Sequence, residues 1–169
     1  MNILVLGLGN ILLADEGVGV RAIEAFAEQY DVTDGVEVVD GGTAGMALID
    51  LFAGRDHVVI VDALRCGAGP GRVVRLAGEE VPAFFRTKIS PHQLGLSDVL
   101  ATLEVLGQRP AGMTVIGIEP EVIEADLNLS PGVAAHVDEM VTVLADELAG
   151  LGCAPTRRAA APSERAPSA

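Results

Sequence analysis

The sequence predicts an α/β fold, a three-layer α/β/α sandwich whose mostly parallel, twisted five-stranded sheet carries one short antiparallel edge strand. Three observations predict it. Short β-branched runs alternate with helical stretches along most of the chain. Hydrophobic residues make up 50% of the sequence and aromatic ones only 3%, so the core must be built from Val, Leu, Ile and Ala, the mixture favoured in parallel sheets covered by helices. A length of 169 residues suffices for one domain with a full core but hardly for two.

The elements follow in order. Residues 2–8 are nearly all aliphatic and stop at Gly7 and Gly9, as a buried strand does. From Val18 onward Val20, Ile23, Phe26, Ala27 and Tyr30 recur at three and four residues, the spacing of a helix. Residues 36–39 read as a second strand, 44–52 as a second helix closed by Gly54, and 57–61 as a third strand. Residues 71–76 form a short run too soon after the third strand for a helical crossover, which predicts an antiparallel edge strand. The stretch with Pro82, Phe84, Phe85 and Lys88 reads as irregular. Ser90 and Pro91 open a helix whose apolar side is Leu94, Leu96, Val99, Leu100, Leu103 and Leu106, with His92 in its first turn. Residues 113–118 supply the last strand, and Ser130 with Pro131 starts a last helix with a Val133, Val137, Met140, Val141, Leu144, Leu148 stripe. Residues 1–152 are thus expected to form one domain. The Ala, Pro, Ser and Arg mixture of 153–169 lacks apolar periodicity and is expected to be disordered.

The net charge is −13, and because Arg157, Arg158 and Arg165 outweigh Glu164 by two charges, the body before the tail carries −15. An acidic body argues against nucleic acid and anionic membrane as partners and suits cations or basic segments. Cys66 and Cys153 are too few for a disulfide framework, which fits a reducing compartment. The apolar N-terminus has no basic n-region, and no run reaches the ~18 apolar residues of a membrane span. A cytoplasmic, monomeric protein is the expectation.

In an open α/β sheet the binding crevice lies beyond the carboxyl ends of the strands. Glu16 follows the first strand, Asp40 ends the second, Asp62 ends the third, and His92 opens the helix that leads to the last strand. A βαβαβ start makes the first and third strands neighbours, which sets Glu16 beside Asp62. Two adjacent carboxylates repel unless a cation or a shared proton joins them, and a neutral imidazole from His92 would complete a three-ligand metal set with open positions. Taken singly, each has a blander role as turn former, cap or solvated side chain, and Asp15 reads as a local structural acid. His57 and His136 have no such company and read as structural or surface residues.

Other templates fail. The GLGN turn at residues 7–10 lacks the third glycine of a dinucleotide fingerprint, since Leu12 stands there. No HExxH or GxSxG occurs, and Cys66 sits in a glycine-rich turn without a histidine nearby in sequence. The glycines at 7, 9, 41 and 42 then serve tight turns or close approach to a ligand, which at Gly41 and Gly42 could be an extended peptide.

With these residues laid out, residues 1–152 closely resemble the hydrogenase maturation protease family. The resemblance is carried by ILVLGLGNILLADEGVGVR at 3–21, DGGTAGM at 40–46, VDA at 61–63 and KISPHQLGLSDVL at 88–100. It implies an endopeptidase that cuts a C-terminal extension from the large-subunit precursor of a nickel-iron hydrogenase after nickel insertion, with the precursor's nickel as the recognition signal. It implies that Glu16, Asp62 and His92 are the metal-contacting and catalytic positions, and that Asp40, Gly41, Gly42 and Thr43 handle substrate. No permanently bound cofactor is then expected; nickel arrives with the substrate, and another divalent cation could take its place in a crystal. Water polarised by the metal or activated by a carboxylate, an aspartyl-type chemistry, would attack the peptide. Two rivals stand beside this reading. A phosphoacceptor receiver domain has an acidic pair after strand one and an acid ending strand three, but it needs a lysine after the last strand, and the only lysine is Lys88. A non-catalytic nickel chaperone would use the same three ligands.

Overall fold

The computed structural model of the chain describes residues 1–87 and 91–159, the side chains of 86–87 and 91–94 excepted. β1 (Ile3–Leu8), every residue of it buried, passes through a 3-10 turn (Ala14–Gly17) into α1 (Val18–Gln29). A two-residue strand, β2 (Tyr30–Asp31), precedes β3 (Val36–Gly42), a second 3-10 turn (Gly45–Leu48) and α2 (Ile49–Phe52). β4 (His57–Ala63), β5 (Val73–Ala77), α3 (Glu80–Thr87), α4 (Pro91–Leu106) and β6 (Gly112–Ile118) follow. α5 (Pro131–Ala134), α6 (Val137–Gly150) and β7 (Thr156–Arg157) complete the described chain. Among the described residues no helix is long and apolar enough to cross a membrane.

The main sheet has the order β3-β1-β4-β6-β5, parallel throughout except for the β5–β6 edge pair. The predicted neighbours are therefore paired, with Gly7 of β1 opposite Val61 of β4. Pleating divides each strand between two layers. Ile3, Val5, Val59, Val61, Ile116 and Ile118 pack under α1 and α6 with Phe26, Met140 and Leu144. Leu4, Leu6, Leu8, Val58, Ile60 and Val115 pack under the opposite helices with Phe52, Phe85, Val99 and Leu103. Helix α1 can lie this close because residue 19 is glycine: a Cβ there would collide with the carbonyl oxygens of Val61 and Leu8.

Two expectations are corrected. The stretch read as irregular contains α3, which accepts Pro82 because proline in the first helical turn forfeits only an amide that has no intrahelical partner; Val81 and Phe85, four residues apart, bury its inner face. The tail read as disordered from Cys153 is ordered through residue 159. Thr156 and Arg157 pair antiparallel with Asp31 and Tyr30, Arg158 N–H donates to the Gln29 carbonyl at 2.8 Å, and its Nε donates to Asp31 at 2.8 Å. Residues 160–169 lie outside the description.

At the amino end of the sheet a polar chain crosses the core. Glu147, only 8% exposed, accepts Arg75 Nε at 2.6 Å and Nη2 at 3.1 Å, and takes the Thr114 hydroxyl at 2.7 Å. With that hydroxyl donating to Glu147, the Thr114 oxygen is left to accept from His57 Nε2 at 3.0 Å. Burial pushes the Glu147 carboxyl up, but the donors Arg75 and Thr114 outweigh it and hold the group below its ordinary value. Burial lowers His57, with Glu147 opposing and Arg75 assisting.

A carboxyl that ionises more readily in the folded chain contributes its full stability above the ordinary glutamate value and loses it as pH falls towards the lower folded value, where the unfolded chain has already taken up the proton. Glu147→Gln should therefore cost about 1–2 kcal/mol at pH 7, Arg75 being half exposed and solvent-screened. The difference from the parent should shrink through the pH range below about 4.5. Urea midpoints of both proteins at pH 7 and pH 3.5 check this.

Candidate functional site

At the carboxyl edge of the sheet the chain leaves β1 through Gly9, whose φ of 126° belongs to glycine alone, and a Cβ there would strike the carbonyl of Glu16. The Asn10 side chain accepts the Leu12 amide at 3.0 Å and its carbonyl accepts that of Leu13 at 3.0 Å, so the turn is tight. Ala14 then takes φ 48°, a left-handed conformation unusual for a residue with a Cβ. The turn it makes sends Asp15 fully inside. There the carboxylate accepts the amides of Glu121 (2.9 Å), Val122 (2.8 Å) and Ser130 (2.7 Å) and the Ser130 hydroxyl (2.8 Å). The acid read as a local structural residue is a long-range clamp between the loop after β1 and the loop after β6. Glu16, the next residue, is half-buried and faces a cleft.

The opposite wall of that cleft comes from the end of β3. The β1–β3 register slips so that Gly7 faces Asp40 and Leu8 faces Gly42, which leaves Gly41 as an extra residue in the strand. A Cβ on Gly41 would stand 2.7 Å from Leu6 Cδ1 and 2.8 Å from Leu8 Cδ2, so a side chain there would have to displace both leucines. Asp40 turns its Oδ1 back to the Gly42 amide at 2.9 Å, and the Gly42 carbonyl accepts the Gly9 amide at 2.9 Å. Glu16, Asn10, Gly42, Thr43, Gly45 and Leu96 are among the residues lining the resulting cleft of about 400 Å³. Of the four residues expected to handle substrate, Gly42 and Thr43 line it. Asp40 shapes the loop from outside, and Gly41 packs on the core.

Asp62 ends β4 with no exposure, its Oδ1 accepting the Ala63 amide at 2.7 Å. Strand alternation puts it on the side of Val58 and Ile60, the layer under α4, which is also the side of the cleft residues Leu8, Leu48 and Leu96. Helix α4 approaches this edge closely, a Cβ on Gly95 standing 3.7 Å from Gly45 Cα. His92 belongs to the first turn of α4, and its side chain lies outside the described residues. Among the described residues no three His, Cys, Asp or Glu side chains form a metal-holding group. The structure thus brings Glu16 to the cleft, and Asp62 to the neighbouring strand end on the same face.

The loop after Asp62 is held from β6. Glu119 Oε2 accepts the amides of Cys66 (2.7 Å), Gly67 (2.8 Å) and Ala68 (3.3 Å) and the Cys66 thiol (3.2 Å). Burial raises the carboxyl, yet these donors outweigh it and hold it low; burial, then the bond to Glu119, raises the thiol. Cys66 is therefore a structural donor. The remaining histidines are structural too: His57 belongs to the Glu147 chain, and His136 Nδ1 lies 2.7 Å from the Gly132 carbonyl. A second cavity, about 370 Å³ between α3 and α4, reaches Met113 at the amino end of β6 and so lies away from the strand ends that carry Glu16 and Asp62. Asn10, Gly95 and Glu119 were not read as site residues. Asn10 could have been found from the turn that ends β1, whereas Gly95 and Glu119 carry no signal outside their tertiary partners.

Comparison with known proteins adds an independent line. The family profile described as hydrogenase maturation protease matches residues 20–147. The chain is 50% identical over 139 residues to the hydrogenase 2 maturation protease of Escherichia coli K12, covering 82% of this chain and 85% of that protein. It is 38% identical over 159 residues to the hydrogenase expression/formation protein HupD of Rhodobacter capsulatus, covering 93% and 76%. The solved hydrogenase maturating endopeptidase HybD of E. coli superposes with a TM-score of 0.89 at 46% identity over 94% of this chain and 98% of that one. The HybD protease of Thermococcus kodakarensis gives 0.71 at 33% identity over 88% and 99%.

Asp15→Ala should lower stability by about 2–4 kcal/mol, because it leaves the buried Ser130 amide and hydroxyl and the part-buried amides of Glu121 and Val122 without their acceptor. Urea unfolding measures the loss, and faster hydrogen exchange at the amides of Glu121, Val122 and Ser130 would locate it at the clamp.

Proposed function

Because this chain belongs to the hydrogenase maturation protease family, we propose that it is the endopeptidase that removes the C-terminal extension of a nickel-iron hydrogenase large-subunit precursor once nickel is in place. What supports the reading is Glu16 on the cleft, Asp62 near the end of the strand beside β1, and α4, which lines the cleft with Gly95 and Leu96 and carries His92 in its first turn. Two carboxylates and an imidazole are a donor set suited to a divalent transition metal with positions left open.

In this reading nickel is cargo. Glu16, Asp62 and His92 contact it in the precursor, and a precursor without nickel offers them nothing to grip. The grip fixes the scissile peptide along the wall made by Gly42 and Thr43, where the absence of bulky side chains admits an extended backbone. Asp40 contributes by holding that wall in shape through the Gly42 amide. Water adds to the scissile carbonyl, its proton passing to a carboxylate of the site; the C–N bond then breaks and the departing amine takes up a proton. The protein needs no cofactor of its own. Free, widely separated cysteines and an acidic body fit work in the cytoplasm on a soluble partner.

Incubating the purified chain with nickel-loaded precursor should shorten the precursor on a gel, and nickel-free precursor should stay intact. His92→Ala and Asp62→Asn should each slow cleavage at least ~100-fold with the melting temperature nearly unchanged. A precursor left at full length by the parent chain would instead indicate a protein that inspects nickel without cutting.

A further inference from the structure

Beside the cleft, four apolar side chains are exposed on two loops whose backbones are hydrogen-bonded to each other. Leu12 is 58% exposed, Leu127 63%, Ile123 39% and Ile11 38%. Leu13 and Asp126 form a parallel bridge, with Ala14 N–H donating to the Asp126 carbonyl at 2.8 Å and Asp126 N–H to the Leu12 carbonyl at 3.2 Å. The Asn10 side chain fixes the Leu12 amide, the Asp126 side chain accepts the Asn128 amide at 2.8 Å, and Asp15 N–H reaches the Val122 carbonyl at 3.2 Å. A loose loop would bury such residues against its own base, whereas this pair of loops is ordered with them outside, as at surfaces built for a partner.

Two features identify the occupant. Ile11 and Leu12 lie in the chain between Asn10 and Glu16, which both line the cleft, so the patch adjoins the cleft. Its surroundings are acidic: Glu121, Glu124 and Asp126 are all exposed, and no lysine or arginine occurs between Arg109 and Arg157 or between Met1 and Arg21. Complementarity then asks for apolar side chains flanked by basic ones.

The geometry points to Ile11, Leu12, Ile123 and Leu127 as a docking platform for the folded part of the large-subunit precursor, received through an apolar segment bordered by Lys or Arg next to its processing site. The inference rests on the proposed peptidase function and adds to it a surface that recognises the precursor apart from nickel. The platform holds the precursor body while the cleft takes the extension.

The test uses the full chain and nickel-loaded precursor, with Leu12→Asp/Leu127→Asp and the milder Leu12→Ser/Leu127→Ser as variants and circular dichroism melting as the check on folding. Both should raise KM for cleavage at least ~10-fold while kcat stays within about twofold, as for loss of uniform binding. Glu124→Lys should weaken binding, measured by calorimetry, most at low salt. Unchanged KM and affinity in a folded variant, with the parent still cutting, overturn the platform and leave the peptidase reading intact. A parent that binds the precursor without cutting it, its variants binding ~10-fold more weakly, overturns the peptidase reading and supports the platform. A parent that neither binds nor cuts overturns both. Loss of self-association by light scattering with unchanged KM assigns the patch to a second copy and overturns the proposal.

Discussion

The Asp15 carboxylate is buried without any exposure, and it is stable there because four donors converge on its two oxygens. A buried charge with fewer partners would be expelled or neutralised. Meeting that requirement draws the loop after β6 and the start of α5 onto the loop after β1, although more than a hundred residues of chain separate them. The left-handed conformation of Ala14 that turns Asp15 inward is a strain of about 1–2 kcal/mol that a well-donated carboxylate can sustain. The adjacent acid, Glu16, is directed to the cleft by this anchorage. Two neighbouring acids thus take opposite parts: one is saturated by donors and holds the edge together, and the other stays available to a ligand.

Close backbone approach is the second constraint at this edge. Glycine at 19 lets α1 rest on the Leu8 and Val61 carbonyls of β1 and β4, and glycine at 9 makes room for the Glu16 carbonyl. Part of the cleft wall is main chain, because Gly42, Gly45 and Gly95 are among the residues that line it. An extended peptide can lie against such a wall with its own backbone groups, and its side chains need only fit the open side.

The layer arrangement, the pairing of β1 with β4 and the antiparallel edge strand were legible in the sequence because they follow from alternating apolar periods and crossover rules, which are local signals with few topological solutions. The placement of Asp62 under α4 follows from pleat alternation once Val58 and Ile60 are known to be core. Other features were illegible for physical reasons. α3 hid behind Pro82, which breaks a helix everywhere except its first turn. Asp15 resembled an ordinary turn acid since three of its four donors are main-chain amides, at 121, 122 and 130, which carry no side-chain signature. The segment after Gly152 lacked apolar periodicity because its order depends on main-chain pairing with Tyr30 and Asp31 and on Arg158 meeting Asp31, none of which leaves a hydrophobic pattern.

That small β2–β7 ladder bears on the order in which the molecule is assembled. Arg158 and Asp31 are 127 residues apart, so their pairing closes one of the longest loops in the fold and comes at a cost that grows with loop length. The β strands of the main sheet, the Asp15 clamp and the cleft use nothing beyond Ser130. On a growing chain the residues of these parts are all present before α6, which covers one face of the sheet, and β7 have been made, and the ladder then fastens the exit of α1 to the segment behind α6. Synthesis therefore delivers every residue of the working edge before those of the ladder, which joins the far end of α1 to the segment after α6.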